Sequence, residues 1–137
     1  MIEIKQLNPN EYWNRVSVML KKAIELSNGR HTLETTYESL CKGIMHLYGI
    51  FDKKTLVSVF VTQRMVYPAK QVLCILFCGG KDFIVHVEKV VNFFKSLSVM
   101  QGCRGLEIIG RNGWSKIIKN TPSLEFEPKG VYYEMDT

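Results

Sequence analysis

Four cysteines and three histidines are the residues of this chain best suited to metal binding or nucleophilic chemistry. They are Cys41, Cys74, Cys78, Cys103, His31, His46 and His86. Cys74 and Cys78 lie in an apolar run typical of a strand, where four residues span about 13 Å, so they cannot share one zinc ion. Cys103 and Ser115 lack a base supported by the sequence. The sequence therefore predicts no metal site and no side-chain nucleophile, and unpaired thiols indicate a reducing compartment.

Basic residues suggest a second chemistry, the binding of nucleic acid. Eighteen Lys and Arg against thirteen Asp and Glu give the chain a net charge of +5. Four candidates for nucleic-acid contacts lie near Trp114, whose ring can stack on a base: Arg104, Arg111, Lys116 and Lys119. The basic residues as a whole are spread evenly along the chain, which favours a role in solubility and at helix ends. Nucleic-acid binding is therefore an alternative.

The composition, 46% hydrophobic and 23% charged, predicts one globular domain over residues 1–137. It excludes a multidomain enzyme, a collagen-like repeat and a disordered tail. No apolar run approaches the ~18 residues that cross a bilayer. Residues 1–7 mix charged with apolar residues instead of forming the apolar core of a signal peptide. We therefore expect a soluble, cytoplasmic protein that makes no membrane contact.

The elements that must position any site begin with a short edge strand over Ile2–Leu7. Asn8 and Pro9 predict the start of a helix, and Thr32 the start of a second one. A hairpin follows over residues 46–67. The next run, Val72–Cys78, is apolar on both faces, which predicts a central strand covered on both sides.

The second half of the chain is predicted to place a helix between two strands. Gly79 and Gly80 are expected to end the central strand, and Asp82 to cap a long helix that continues to Leu97. Residues 106–109 predict a strand parallel to the central one, because such a connection is normally right-handed and parallel. A short helix over 110–120 and a final hairpin, with strands over 124–127 and 131–135, complete the chain.

This order of elements resembles the GCN5-related N-acetyltransferase (GNAT) fold. The residues that carry the resemblance are Gly102, Cys103, Leu106, Glu107, Ile108, Asn112 and Phe126. The run 110–114 is similar to that of small GNAT-like proteins of tailed bacteriophages, which implies a host-cytoplasm or virion location. The predicted fold class is α/β (α+β), a GNAT-like mixed sheet with central antiparallel strands, a βαβ unit and a C-terminal β-hairpin.

The resemblance implies acetyl-CoA, whose pyrophosphate the family holds with backbone N–H groups between the central strand and the long helix. The candidate cofactor-binding residues in this sequence are Phe77, Cys78, Gly79, Gly80, Lys81 and Asn112. The family's basic or Gln residue followed by two spaced small residues is absent. Asp82 also places a carboxylate near the expected diphosphate, where like charges repel. The loop is therefore predicted to be degenerate, with Asp82 acting as a helix cap.

The resemblance further implies a tyrosine general acid on the short helix, but residues 110–120 contain none. Tyr132 and Tyr133 are the remaining candidates. Glu107, on the strand beside the expected cleft, is the candidate base, and the alternative is a solvent-facing or ion-paired Glu. The sequence thus favours a noncatalytic GNAT-like binding or assembly protein with no cofactor, which acts through a protein partner or self-association. The alternatives are a divergent acetyl-CoA-dependent N-acyltransferase and a small basic nucleic-acid-binding module.

Overall fold

The computed structural model describes residues 2–81, 84–109 and 112–137, and only the backbone at 112 and 113. The strands are β1 (Ile2–Gln6), β2 (His46–Asp52), β3 (Thr55–Val66), β4 (Gln71–Gly80) and β5 (Leu106–Ile108). The helices are α1 (Pro9–Glu25), α2 (Leu33–Cys41), α3 (Val87–Met100) and α4 (Asn112–Asn120), with short 3-10 turns at Ile84–His86 and Pro122–Leu124. Within the described residues, no helix is both long enough and apolar enough to cross a bilayer.

The five strands form one mixed sheet in the order β1-β2-β3-β4-β5. The first four pair with one another in antiparallel fashion, and β5 is parallel to β4. Because α3 connects β4 to β5, these three elements form the predicted βαβ unit. The mixed α+β class predicted from the sequence is confirmed.

Local capping explains where the first two helices begin. The Asn8 side chain accepts a hydrogen bond from the Asn10 N–H at 3.0 Å, and Pro9 takes the first helical position, where its missing N–H costs nothing. Thr32 and Thr35 form a reciprocal capping box at the start of α2, with bonds of 3.0 and 2.9 Å. Both predicted starts are confirmed.

Two hydrophobic cores lie on opposite faces of the sheet. The core beneath α1 and α2 contains Leu7, Val16, Leu20, Ile24, Leu40, Met45, Leu47, Leu56, Val59, Val61 and Phe77. The core beneath α3 contains Ile2, Tyr48, Ile50, Phe60, Leu73, Ile75, Val90, Phe94 and Cys103. Since β4 contributes to both, it is covered on both sides as predicted.

Two predicted boundaries around β4 are wrong. The strand does not end at Cys78 but includes Gly79 and Gly80, because both residues pair with β3, opposite Val59 and Ser58. The α-helix that follows begins at Val87, after a 3-10 turn, and His86, the residue before it, makes no side-chain capping bond. Asp82, the predicted cap, lies outside the described residues.

The predicted C-terminal hairpin is also wrong, because residues 125–137 form no strand in the structure. Glu125 adopts a left-handed conformation (φ 60°) directly after the Pro122–Leu124 turn, which redirects the chain. Tyr132 and Glu134 then bind Arg30, in the loop between α1 and α2, and not a neighbouring strand. Phe126, expected to open the hairpin, therefore lies in irregular chain.

Candidate functional site

A β-bulge in β4 coincides with the point where β5 leaves the sheet. Val61 pairs with Phe77 and Thr62 with Ile75, so Leu76 is an extra residue with no partner on β3. The pairing of β4 with β5 ends at the same place, since Ile75 opposite Ile108 is the last pair. Bulges bend a strand and terminate pairing. Residues 76–80, which we call the open β4 edge, therefore extend beyond Ile75, the last residue of β4 that pairs with β5.

The far end of the open β4 edge is tied to β3. The Lys81 N–H donates to the Val57 carbonyl at 2.7 Å, and the buried Ser58 hydroxyl donates to the Lys81 carbonyl. The Lys81 backbone donor is therefore already used within the fold. Its side chain is exposed, so its ammonium group remains able to meet an anion.

Both glycines of the open β4 edge are needed by the fold itself. A Cβ atom at Gly79 would overlap the backbone carbonyl of Met19, which shows how closely α1 rests on the strand. A Cβ atom at Gly80 would overlap the Val57 carbonyl, and the φ of +114° at Gly80 disfavours other residues. Packing therefore requires glycine at both positions, and the phosphate contact assigned to them from the sequence stays a prediction.

An imidazole lies against the α1 side of the open β4 edge. The His31 ring makes an edge-on contact with the buried Phe77 ring, with 5.1 Å between centroids. Burial, and then the charge of Arg30, lower the pKa of His31, so the imidazole is neutral at neutral pH. A groove of about 460 Å³ beside it is lined by Lys21, Ile24, Glu25, His31, Thr32, Leu33 and Glu34. Sequence reasoning missed His31 as a site residue, since no motif marks it.

A three-residue cluster lies where β4 and β5 are still paired. The Tyr67 hydroxyl, at the end of β3, donates to the Glu107 carboxylate, 3.1 Å from Oε1 and 3.2 Å from Oε2. Cys74 is opposite Glu107 in the strand register and is fully buried. The predicted base therefore lies one residue before the strands diverge. Sequence reasoning missed Tyr67, which is distant in the chain.

Cys74 is expected to resist alkylation in the folded protein. Burial, and then the charge of Glu107, raise the pKa of its thiol to about 12, so the reactive thiolate is scarce at pH 8. We expect iodoacetamide to modify the exposed Cys41 at that pH while Cys74 stays unmodified, as measured by peptide mass spectrometry. In urea both should react, because the unfolded thiol has a pKa near 8.5. Equal rates in the folded protein would contradict this burial.

The two candidate tyrosines lie in the irregular C-terminal segment. Tyr132 accepts a hydrogen bond from Arg30, whose guanidinium carbon lies 4.5 Å from the centre of the Tyr132 ring. Tyr133 is 87% exposed. Within the described residues, no hydrogen bond joins either tyrosine to Glu107. Their catalytic role stays a prediction.

The remaining candidates lie on or before α4. Arg104, Lys116 and Lys119 are exposed, so a nucleic acid can reach them, and their role stays a prediction. Arg111 lies outside the described residues. Asn112 is the first residue of α4, and its side chain is not described. In the described part of the chain, no three His, Cys, Asp or Glu residues are grouped so that they could hold a metal ion.

No protein-family model and no curated protein sequence matches the chain. Solved structures, in contrast, are similar to the chain. A possible acetyltransferase from Clostridium difficile 630 has a TM-score of 0.73 at 12% identity, covering 100% of this chain and 98% of its own. A GNAT family acetyltransferase from Staphylococcus aureus has a TM-score of 0.66 at 9% identity, covering 99% and 98%.

A predicted acetyltransferase from Clostridium acetobutylicum, solved with acetyl-CoA, is also similar in structure. It has a TM-score of 0.67 at 8% identity, covering 99% of this chain and 96% of its own. Identities this low carry information about architecture alone. Together with the strand order and the βαβ unit, these likenesses show that the chain has a GNAT-like fold.

Proposed function

We propose that the protein binds an acyl-CoA thioester along the open β4 edge and transfers the acyl group to an amine. The observation that carries the proposal is the bulge at Leu76, because it lies where the pairing of β4 with β5 ends and β4 continues through residues 76–80. The GNAT-like fold supports it, and one structural neighbour was solved with acetyl-CoA.

The open β4 edge fits the pantetheine arm of a CoA thioester, which carries two amides. In an antiparallel pair, every second residue directs its N–H and C=O groups to the partner strand. Alternate residues of 76–80 therefore direct their backbone N–H and C=O groups to the side on which β5 no longer pairs. Beyond the edge, the exposed Lys81 ammonium can contact a phosphate group, although the Lys81 N–H cannot.

The thioester supplies an activated acyl group, and Glu107 supplies the base. Its carboxylate takes the proton that the acceptor's ammonium group must lose. The nitrogen then forms the new carbon–nitrogen bond, which replaces the carbon–sulfur bond of the thioester. The described side chains of α4, at residues 114–120, include no tyrosine, so the released thiolate takes its proton from solvent. The neutral His31 ring provides a second polar group on the same side as Phe77.

Thermal unfolding with and without millimolar acetyl-CoA tests the proposal. A ligand at a hundredfold its dissociation constant adds about 2.7 kcal/mol to the free energy of unfolding. For a chain of this length that corresponds to a rise in Tm of roughly 9 °C. An unchanged Tm at millimolar acetyl-CoA would count against the transferase.

Reversing the charge of Lys81 should weaken acetyl-CoA binding selectively. Lys81→Glu replaces an attraction to the phosphates by a repulsion, so we expect the Kd to rise about tenfold. Lys95→Glu makes the same charge change on the exposed side of α3 and should leave the Kd unchanged. Isothermal titration calorimetry measures both. If the two variants weaken binding equally, general electrostatic attraction, and not contact at this end of β4, would be responsible.

A noncatalytic binding or assembly protein is the second candidate. Two observations favour it: the Lys81 N–H is used by the Val57 carbonyl, and the residues of α4 from 114 to 120 lack the family's tyrosine. In that case the fold serves a protein partner or self-association. Acetyl-CoA would then raise neither the Tm nor, with any amine, the rate of thiol release.

A further inference from the structure

We infer that Tyr67 is a positioning residue that holds the Glu107 carboxylate in place as the base, an inference that rests on the proposed transferase function. The hydroxyl lies within hydrogen-bond distance of both carboxylate oxygens, at 3.1 and 3.2 Å. Nearly equal distances mean that the carboxylate faces the phenol with both oxygens. One hydrogen bond shared in this way restricts the rotation of the Glu107 side chain.

Glu107 needs such a partner because its strand is short. β5 has three residues, all half-buried, and forms the edge of the sheet in the described chain. No ion pair within the described residues holds the Glu107 carboxylate. The Tyr67 hydroxyl donates to this carboxylate, and the buried Cys74 thiol also interacts with it.

Tyr67 is anchored by the turn between β3 and β4. Its backbone N–H donates to the Lys70 carbonyl at 2.9 Å. The next residue is Pro68, whose ring fixes its own backbone angle φ. β3 and β5 flank β4, so the Tyr67 side chain must cross β4 to reach Glu107. Cys74, opposite Glu107 and fully buried, lies in the strand that is crossed. The short turn between β3 and β4 therefore holds the Tyr67 hydroxyl beside the β4–β5 pair.

The Tyr67 phenol is suited to act as a donor and not as an acid. Burial, and then the hydrogen bond to Glu107, raise its pKa above the ordinary value, so it keeps its proton at neutral pH. The titratable groups that face it are Glu107 and Cys74. Glu107 thus keeps a neutral hydrogen-bond donor while its own carboxylate remains able to accept a proton.

Kinetics of Tyr67→Phe test the inference, with Tyr12→Phe as the control. Tyr12 packs edge-on against Phe51, and its hydroxyl makes no hydrogen bond in the described residues. With acetyl-CoA and a panel of free amino acids and polyamines as probes, we expect Tyr67→Phe to lower kcat about thirtyfold while the Kd for acetyl-CoA stays within twofold. Tyr12→Phe should leave both unchanged. In a Glu107→Gln background, Tyr67→Phe should have no further effect, because Tyr67 acts through Glu107.

A second measurement is independent of turnover. In protein labelled with 13C at the tyrosine Cζ, the Tyr67 signal is assigned by its loss in Tyr67→Phe. Its titration midpoint should fall toward the ordinary value in Glu107→Gln, and an unchanged midpoint would overturn the pairing. An active wild type with an unaffected Tyr67→Phe variant would overturn the positioning role and leave the transferase intact. A wild type that neither binds acetyl-CoA nor releases thiol would overturn both.

Discussion

Replacing Gly79 by alanine should lower the free energy of unfolding by about 3 kcal/mol, the upper end of the cost of overpacking. The added methyl group would overlap the backbone carbonyl of Met19, and a helix backbone cannot yield as a side chain can. The expected fall in Tm is roughly 10 °C. Urea unfolding should show a lower midpoint with an unchanged slope.

Gly130→Ala is the matched control for this variant. A Cβ atom at Gly130 meets nothing within 4 Å, and its φ lies outside the left-handed region, so the same chemical change should cost little. If Gly79→Ala is as stable as Gly130→Ala, α1 does not rest on β4 as closely as described. The fold would then leave Gly79 free for a ligand.

Replacing Glu107 by glutamine should lower kcat for acyl transfer by 10²–10⁴-fold, the usual contribution of a general base. Glutamine has the same size and keeps an oxygen that can accept the Tyr67 hydrogen bond, so folding and acetyl-CoA binding should be unchanged. Thiol release from acetyl-CoA in the presence of amines measures the effect.

Glu3→Gln provides the control for that experiment. Glu3 is exposed on β1, at the opposite edge of the sheet, and its ion pair with Lys5 lies far from β5 in the strand order. Its loss should leave kcat unchanged. A Glu107→Gln variant with wild-type kcat would remove Glu107 from the proposed chemistry.

Features set by neighbouring residues were predictable from the sequence. The starts of α1 and α2 follow from Asn8 with Pro9 and from Thr32, because a cap acts within one helical turn. The buried central strand follows from a run of apolar residues, and the parallel direction of β5 from the handedness of βαβ connections. These signals require no knowledge of distant partners.

Features set by distant residues were not predictable. Gly79 and Gly80 favour a break locally, yet pairing with β3 and the approach of Met19 keep them in the strand. The bulge at Leu76 leaves no mark in an apolar run, because either face of β4 accepts apolar side chains. The prediction of the C-terminal hairpin was wrong because Arg30, about 100 residues earlier in the chain, binds Tyr132 and Glu134.

The residues of the candidate site also differ in whether the sequence could predict them. Glu107 could be proposed from the sequence because it lies on a predicted strand next to the expected opening. Tyr67 and His31 could not be proposed in this way. A turn 40 residues before Glu107 brings Tyr67 to the carboxylate, and the loop between α1 and α2 brings His31 to Phe77. Asp82, on which the prediction of a degenerate loop depended, lies outside the described residues.

The proposal depends most directly on the open β4 edge, and a nuclear magnetic resonance titration tests it. Acetyl-CoA would be added to 15N-labelled protein while the backbone amide signals are followed. We expect the signals of residues 76–80 to shift in a saturable manner while those of β1, at the other edge of the sheet, stay in place. Unchanged signals at residues 76–80 with millimolar acetyl-CoA, or shifts confined to the groove between α1 and α2, would contradict the proposal.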